Sequence, residues 1–399
     1  MAVGVIAGCD SGGSTTASNS SGTSGSGNCT PTTFSNSDVG SDAIPIGLVA
    51  SLTGESLPWG ADCQKGAQLA VDEFNKAGGL NGKKVNLIIS DDASKPEQGK
   101  SAVEKLIGDN HVIGIIGEVA SGITLQMAPV CQQNGVPDIA VGATRDDITK
   151  IGDDIFRVCY TDSLQGPVMA SFAYKTLGLR NVALMTDKKL PYSTGLSDSF
   201  RKSFVDQGGK IVDEQFYEQG QTQFTGQLTN LKSENPDGVF ASGYFNETGP
   251  IVKQAAEAGL KVPFFGGDGW DSKDISNLGG AAIVGDYYCN HYSNDEKSPE
   301  VQDFLKIWNA AFCTNPGTAM GALTYDATKL MLAALKTAGT ADSHKLRDAI
   351  ADTVDFKGVT GNITLKGMHG NPLKQAIIVK ITPTGTTFAT AVDPAKIVR

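Results

Sequence analysis

Positive charge is scarce in this 399-residue chain: Lys and Arg number 33 against 43 Asp and Glu, for a formal net charge of −10. The acidic residues are scattered rather than blocked. A nucleic-acid partner is not expected, because such proteins carry a basic footprint. Anionic membrane surfaces are disfavoured for the same reason. Long apolar runs are missing too, and none approaches the ~20 residues that span a bilayer. The four histidines, His111, His291, His344 and His369, lie far apart and show no metal-ligand spacing. No two cysteines form a CxxC pair, so neither a zinc site nor a redox site is visible. There is no GxSxG elbow and no GxxxxGK phosphate loop. The Ser, His and acidic residues show no triad-like arrangement. An enzyme is not expected, nor a metal or cofactor.

What is present begins with length and core. The chain is long enough for two or three domains, and 40% hydrophobic residues allow a substantial core. Glycine is abundant at 48 residues, many in pairs or just after helical patterns, as in "KAGGLNGKK" and "DQGGKI". That is turn and helix-stop usage.

The first ten residues, "MAVGVIAGCD", lead into a stretch to Asp42 built almost wholly of Ser, Gly, Thr and Asn. Such a stretch cannot bury enough apolar surface to offset chain entropy, and reads as a flexible linker over 10–43. "VIAGC" resembles a bacterial lipobox, which would make Cys9 the lipidated residue and the mature N-terminus. Only eight residues precede Cys9 and none is basic, whereas a secretory signal runs to roughly 15–30 residues. Either the true start lies upstream or the chain is clipped, and 1–9 is read as a truncated signal. Six further cysteines, Cys29, Cys63, Cys131, Cys159, Cys289 and Cys313, permit disulfides in an exported protein. Spacing does not give their pairing.

From residue 44 short apolar runs alternate with amphipathic patterns. "IPIGLVASL", "KKVNLIISDD", "HVIGIIG" and "VPDIAVGAT" read as strands, separated by helices such as "GADCQKGAQLAVDEFNKAGG" and "SGITLQMAPVCQQNG". A second series follows: "NVALMTD", "KIVDEQFY", "DGVFASGY" and "VPFFGGDGW", again with helices between. Three helical patterns come next, over residues 298–354, and the chain ends in a hairpin-like "KQAIIVKITPTGTTF". Such alternation predicts an α/β fold of two doubly wound parallel sheets. The chain is expected to start one lobe, build a second, return to the first and finish in the second. In such sheets ligands bind beyond the carboxyl ends of the strands. The segments there are 51–59, 121–124, 142–144, 187–192, 243–246 and 267–270. They are rich in hydroxyls and aromatics, with one carboxylate, Asp268, expected to point inward.

Those segments, together with "IPIGLVASLTGESLPWGADCQKGAQLAVDEFNKAGGLNGKKV", "VPDIAVGAT" with "DDIT", "DIFRVCYTDSLQG" and "VPFFGGDGWDS", resemble the substrate-binding proteins of branched-chain amino acid ABC transporters. The resemblance covers residues 44–390. It implies a type I periplasmic-binding fold with three crossovers: lobe 1 over 44–160 and 292–366, lobe 2 over 161–291 and 367–399, and hinges near 160, 291 and 367. It implies that Ser121 and Thr144 hold a ligand carboxylate, and that Gly142 (through its carbonyl) and Asp268 hold the ammonium. Trp59, Tyr192 and Tyr244 would close over the side chain. Relatives often carry Glu where this chain has Asp268, so the ligand would shift or a water would fill the gap. Docking is expected first on Ser121, Thr144 and Asp268 of one lobe, with Tyr192 and Tyr244 arriving from the other. The implied partners are an amino acid, most simply Leu, Ile or Val, the membrane permease of an ABC transporter, and the membrane through the Cys9 lipid. The protein would be an extracytoplasmic monomer.

The physics runs the same way. A zwitterion needs two opposite sites close together. A helix N-terminus with a hydroxyl suits the carboxylate, and a carboxylate with carbonyls suits the ammonium. Each residue also has a plainer reading. Ser121 and Thr144 fit helix caps, Tyr192 a turn aromatic, Trp59 the core and Asp268 a turn. Two other functions share the pattern. One is the same fold taking an aromatic amino acid, a short amide or urea, or an aromatic acid. The other is a ligand-sensing receptor domain, which calls for a membrane-spanning run after the folded part.

Overall fold

The computed structural model describes residues 40–396. The expected leader, the tether and Cys9 lie outside that span. The run IPIGLVA forms β1 (Ile44–Ala50), and every residue in it but Pro45 is buried. A strand buried on both faces belongs at the centre of a parallel sheet. β2 (Val85–Asp91), β3 (Ile115–Ile116), β4 (Asp138–Ala140) and β5 (Ile155–Arg157) join it in the order β2-β1-β3-β4-β5, all parallel. Between them run α1 (Leu57–Lys76), α2 (Pro96–Gly108) and α3 (Ser121–Asn134). α3 stops where Gly135 turns left-handed at φ 62°.

The chain then crosses to a second sheet through α4 (Asp162–Ser171). β6 (Asn181–Asp187), α5 (Pro191–Asp206), β7 (Lys210–Tyr217), α6 (Thr225–Ser233), β8 (Gly238–Ala241), α7 (Phe245–Glu257), β9 (Phe264–Gly266), α8 (Lys273–Gly279) and β10 (Tyr287–Asn290) follow. A second crossing leads back to α9 (Pro299–Phe312), α10 (Met320–Ala338), α11 (Ser343–Ala351) and the small hairpin of β11 (Phe356–Gly358) and β12 (Gly361–Ile363). A third leads to β13 (Ala376–Thr382) and β14 (Gly385–Val392). The second sheet has the order β14-β13-β10-β9-β8-β6-β7, parallel except where β13 and β14 fold back. The fold is thus α/β, with two parallel-sheet lobes joined by three crossovers.

α10 returns to the first lobe and packs along α1, touching β3 and β4. The two helices meet at glycine. A Cβ on Gly66 would stand 2.3 Å from the carbonyl oxygen of Gly321, so any side chain there would push α10 away. Gly60 serves the start of α1 likewise, since a Cβ would meet Ser51 O at 2.0 Å. Four elements depart from the sequence reading. β5, α4 and α8 were not anticipated as elements, and β3 pairs over two residues although "HVIGIIG" suggests a longer strand. Of the cysteines, Cys63, Cys131, Cys159 and Cys289 are free and buried, and Cys313 is disulfide-bonded.

Candidate functional site

The carboxyl ends of the two sheets face each other, and the site is built from the loops there. On the first lobe Ser51 directly follows β1. Its Oγ donates to Asp92 Oδ1 at 2.7 Å and to Glu118 Oε1 at 3.3 Å. Glu118 Oε2 in turn accepts from Ala120 N at 2.5 Å. This buried set fixes the turn from β3 into α3. Burial pushes the Glu118 carboxyl well up, and the neighbouring Asp92 adds to it.

Ser121 is the first residue of α3. The cap position is Ala120, which has no side-chain oxygen to offer. The buried Ser121 hydroxyl instead accepts from Arg145 N at 3.4 Å, tying the α3 start to the loop after β4. Thr144 lies in that loop. It does not cap the short 3-10 turn at Ile148–Ile151, where Asp147 holds the cap position. Its side chain is buried beside Asp162. Burial pushes the nearby Asp162 carboxyl well up, with the Thr144 hydroxyl opposing. Gly142 is packed tightly, and a Cβ would meet Val119 Cγ1 at 2.9 Å and Met320 Sδ at 3.0 Å.

Asp268 sits on the second lobe, directly after β9, in a one-turn 3-10 helix. This corrects the expectation that it docks ligand together with Ser121 and Thr144 from one lobe, because β9 belongs to the second sheet. Asp268 is 3% exposed. Its Oδ1 accepts from Tyr192 Oη at 2.8 Å and Gln165 Nε2 at 3.0 Å, and Oδ2 lies 2.9 Å from His291 Nε2. Tyr192, in the first turn of α5, also accepts from Gly269 N at 3.0 Å. Tyr244 precedes α7 and stacks on Tyr192 with ring centroids 5.3 Å apart.

The lobes touch at Trp59. The indole comes from α1, donates to Asp271 O at 2.7 Å and meets Tyr244 edge-on at 4.9 Å. Asp271 adds a second clasp by accepting from Ala319 N at 2.5 Å, and burial pushes its carboxyl up to about 6. Arg145 reaches Pro191 O at 2.7 Å. Trp59, Gly142, Tyr192, Tyr244 and Asp268 line one enclosed space with Val119, Gly269 and Met320. It measures about 10 Å3, about what one water needs. A solute enters only if the lobes part. Ser121 and Thr144 are outside that lining. A cavity of about 710 Å3 lies elsewhere, against the third crossing, and its mixed charges (Lys150, Arg347, Asp153, Asp348) do not converge.

Sequence reasoning missed Gln165, His291 and Asp271. Gln165 falls in the quoted "DSLQG", and His291 follows a strand end. Their contacts to Asp268 span 103 and 23 residues, and no local pattern announces them. Among the described residues no cluster of His, Cys, Asp and Glu is arranged to hold a metal, and no helix is long and apolar enough to cross a membrane.

Two parallel-sheet lobes with facing polar loops define a two-lobed binding protein. The chain belongs to the periplasmic binding protein family, which matches residues 43–386. It is 32% identical to Leu/Ile/Val-binding protein homolog 3 of Brucella melitensis over 326 residues, 80% of this chain and 86% of that one. It is 33% identical to the Leu/Ile/Val-binding protein BraC3 of Rhizobium johnstonii, covering 80% and 87%. Among solved structures it is similar to the leucine-binding protein LivK of Thermotoga maritima, with TM-score 0.84, 30% identity and coverage of 89% and 100%. It is also similar to the branched-chain amino acid transporter substrate-binding protein LivJ of Streptococcus pneumoniae in complex with isoleucine, with TM-score 0.82, 32% identity and coverage of 88% and 99%. A solute-binding protein of R. palustris in complex with benzoate has TM-score 0.78, 25% identity and coverage of 88% and 98%. These relatives are solute-binding proteins rather than enzymes.

Proposed function

We propose that this protein captures a branched-chain amino acid, Leu, Ile or Val, outside the cytoplasm and delivers it to the permease of an ABC transporter. The observation that carries the reading is the pair of opposite poles across the cleft. Asp268 is buried on one lobe. The α3 N-terminus with Ser121, and the buried Thr144 hydroxyl beside Asp162, stand on the other. A ligand carboxylate would satisfy Thr144 and Ser121, while Asp268 and the Gly142 carbonyl would take the ammonium. Trp59, Tyr244, Val119 and Met320 would surround an apolar side chain.

Because the two poles lie on different lobes, a zwitterion bridges them and holds the cleft shut. Closure is then a population shift stabilised by contacts made only in the closed form. The lobes are taken as 44–160 with 292–366, and 161–291 with 367–399, hinged near 160, 291 and 367. Cys9 would carry the lipid that tethers a monomeric receptor to the membrane. Lipid labelling of the full precursor, abolished in Cys9→Ser, checks that assignment.

The deciding experiment is calorimetric titration of protein stripped of ligand by unfolding and refolding. Titrants are the twenty amino acids with urea, acetamide and benzoate. Tight binding of Leu, Ile or Val is expected. Binding of benzoate alone would replace the amino-acid reading with the aromatic-acid one, for which the benzoate-bound relative gives precedent.

A further inference from the structure

His291 has no role in the reading above, yet it is the residue in contact with Asp268 Oδ2, at 2.9 Å. Its side chain is fully buried. The ring stacks on Tyr160, with centroids 3.9 Å apart and planes at 23°. The other oxygen of Asp268 is already held by Tyr192 and Gln165. All three partners come from the second lobe or its crossings, so the contact survives when the cleft opens. A carboxylate only accepts hydrogen bonds. The ring proton therefore sits on Nε2, and Nδ1 is bare. Nδ1 has no partner among the described residues. The ring also lines a cavity of about 150 Å3 on the hinge side, together with Glu296, Glu300, Thr360 and Gln375. That is room for several waters.

We infer that His291 is a positioning residue for ammonium recognition, with its neutral ring orienting Asp268 Oδ2 while a proton taken up at Nδ1 competes with the ligand ammonium for the same carboxylate. This rests on the zwitterion reading of the cleft. Atoms balance simply: the protonated free protein binds the ammonium ligand and gives up one proton from Nδ1 to solvent. Affinity therefore falls as pH falls. Burial pushes the His291 pKa down, while the contact with Asp268 raises it and Lys374 lowers it. Glu296 and Glu300 line the same cavity as the ring, and Tyr160 stacks on it from the first crossing. Asp271, whose carboxyl burial pushes up to about 6, titrates in the same pH range. It is common to wild type and variant, so comparing the two isolates His291.

The test is leucine titration of wild type and His291→Gln at about pH 7.5 and about pH 5. Gln keeps a neutral donor but has no proton to gain. Wild type is expected to bind at least about fivefold more weakly at the lower pH, and His291→Gln to lose that weakening. Equal weakening in both proteins overturns the inference and leaves the amino-acid reading standing. A second measurement needs no variant. The imidazole nitrogen shifts of His291 should report a pKa that leucine lowers by at least about one unit. A pKa that leucine leaves unchanged or raises also overturns it. If no branched-chain amino acid binds at either pH, the functional reading fails and this inference falls with it.

Discussion

At the scale of single residues, Asp268 and Ser121 differ in what their loss leaves behind. On the proposed reading, removing Asp268 would leave a ligand ammonium buried without its counter-charge, at a cost on the order of 3–5 kcal/mol. Removing the Ser121 hydroxyl forfeits one neutral hydrogen bond, about 0.5–1.5 kcal/mol. Asp268→Ala is therefore expected to weaken leucine binding at least tenfold with an unchanged circular-dichroism spectrum, and Ser121→Ala to weaken it distinctly less. Calorimetry on both variants checks the order, and the reverse order would sink the ammonium assignment. Asp268 stands out in the sequence because it is a carboxylate flanked by glycines at a strand end. Its lobe was misjudged, and its supporting partners were invisible, because Gln165 and His291 reach it only through the assembled fold.

At the scale of elements, legibility followed periodicity. The buried run of β1 and the Gly-terminated patterns of α1 and α3 announce themselves. α4 hides because Gly166 and Pro167 interrupt it, and both read as breakers although the helix continues through them. β3 and β4 are brief, although the apolar residues on either side of them are buried. The crossings carry a feature that no pattern suggests. Lys374 is fully buried before β13, donating to Val158 O at 2.8 Å and contacting Thr360 Oγ1. Val158 lies in the first crossing, so Lys374 ties two crossings together. Burial pushes its amine down to about 8, with Asp326 opposing. Between about pH 8 and its ordinary 10.5 the unfolded chain holds this proton and the native one does not. Stability from this group therefore rises with pH across that window, by up to about 3 kcal/mol. Urea unfolding of wild type and Lys374→Met at about pH 7.5 and pH 10 measures it. The balance between the two should shift toward wild type as pH rises, and no shift would mean that the amine stays protonated.

At the scale of the whole molecule, the two sheets are separate bodies linked by three strands of chain, and their facing loops touch through a few side chains. The seven-stranded sheet keeps β7 and the C-terminal β14 as its outer strands, away from the cleft formed beyond the carboxyl ends of β6, β8 and β9. On the proposed reading, specificity within the Leu, Ile and Val class would turn on one methylene or its placement, worth about 1–3 kcal/mol in an apolar pocket. Val119, Met320 and Tyr244 are the side chains to vary in search of it.

The placement of Trp59 gives the protein an optical gauge of its own motion. The chain has three tryptophans. Trp308 is buried among Phe304 and Phe312 of its own helix, and Trp270 donates to Ala241 O within the second lobe. Neither changes surroundings when the lobes separate. Trp59 alone bridges them, so parting the cleft strips its indole of Asp271, Tyr244 and Phe245 together. Its emission should shift to the blue when solute closes the cleft, and Trp59→Phe should leave a steady signal from the other two. A ligand-dependent shift that persists in the variant would mean that the lobes themselves deform.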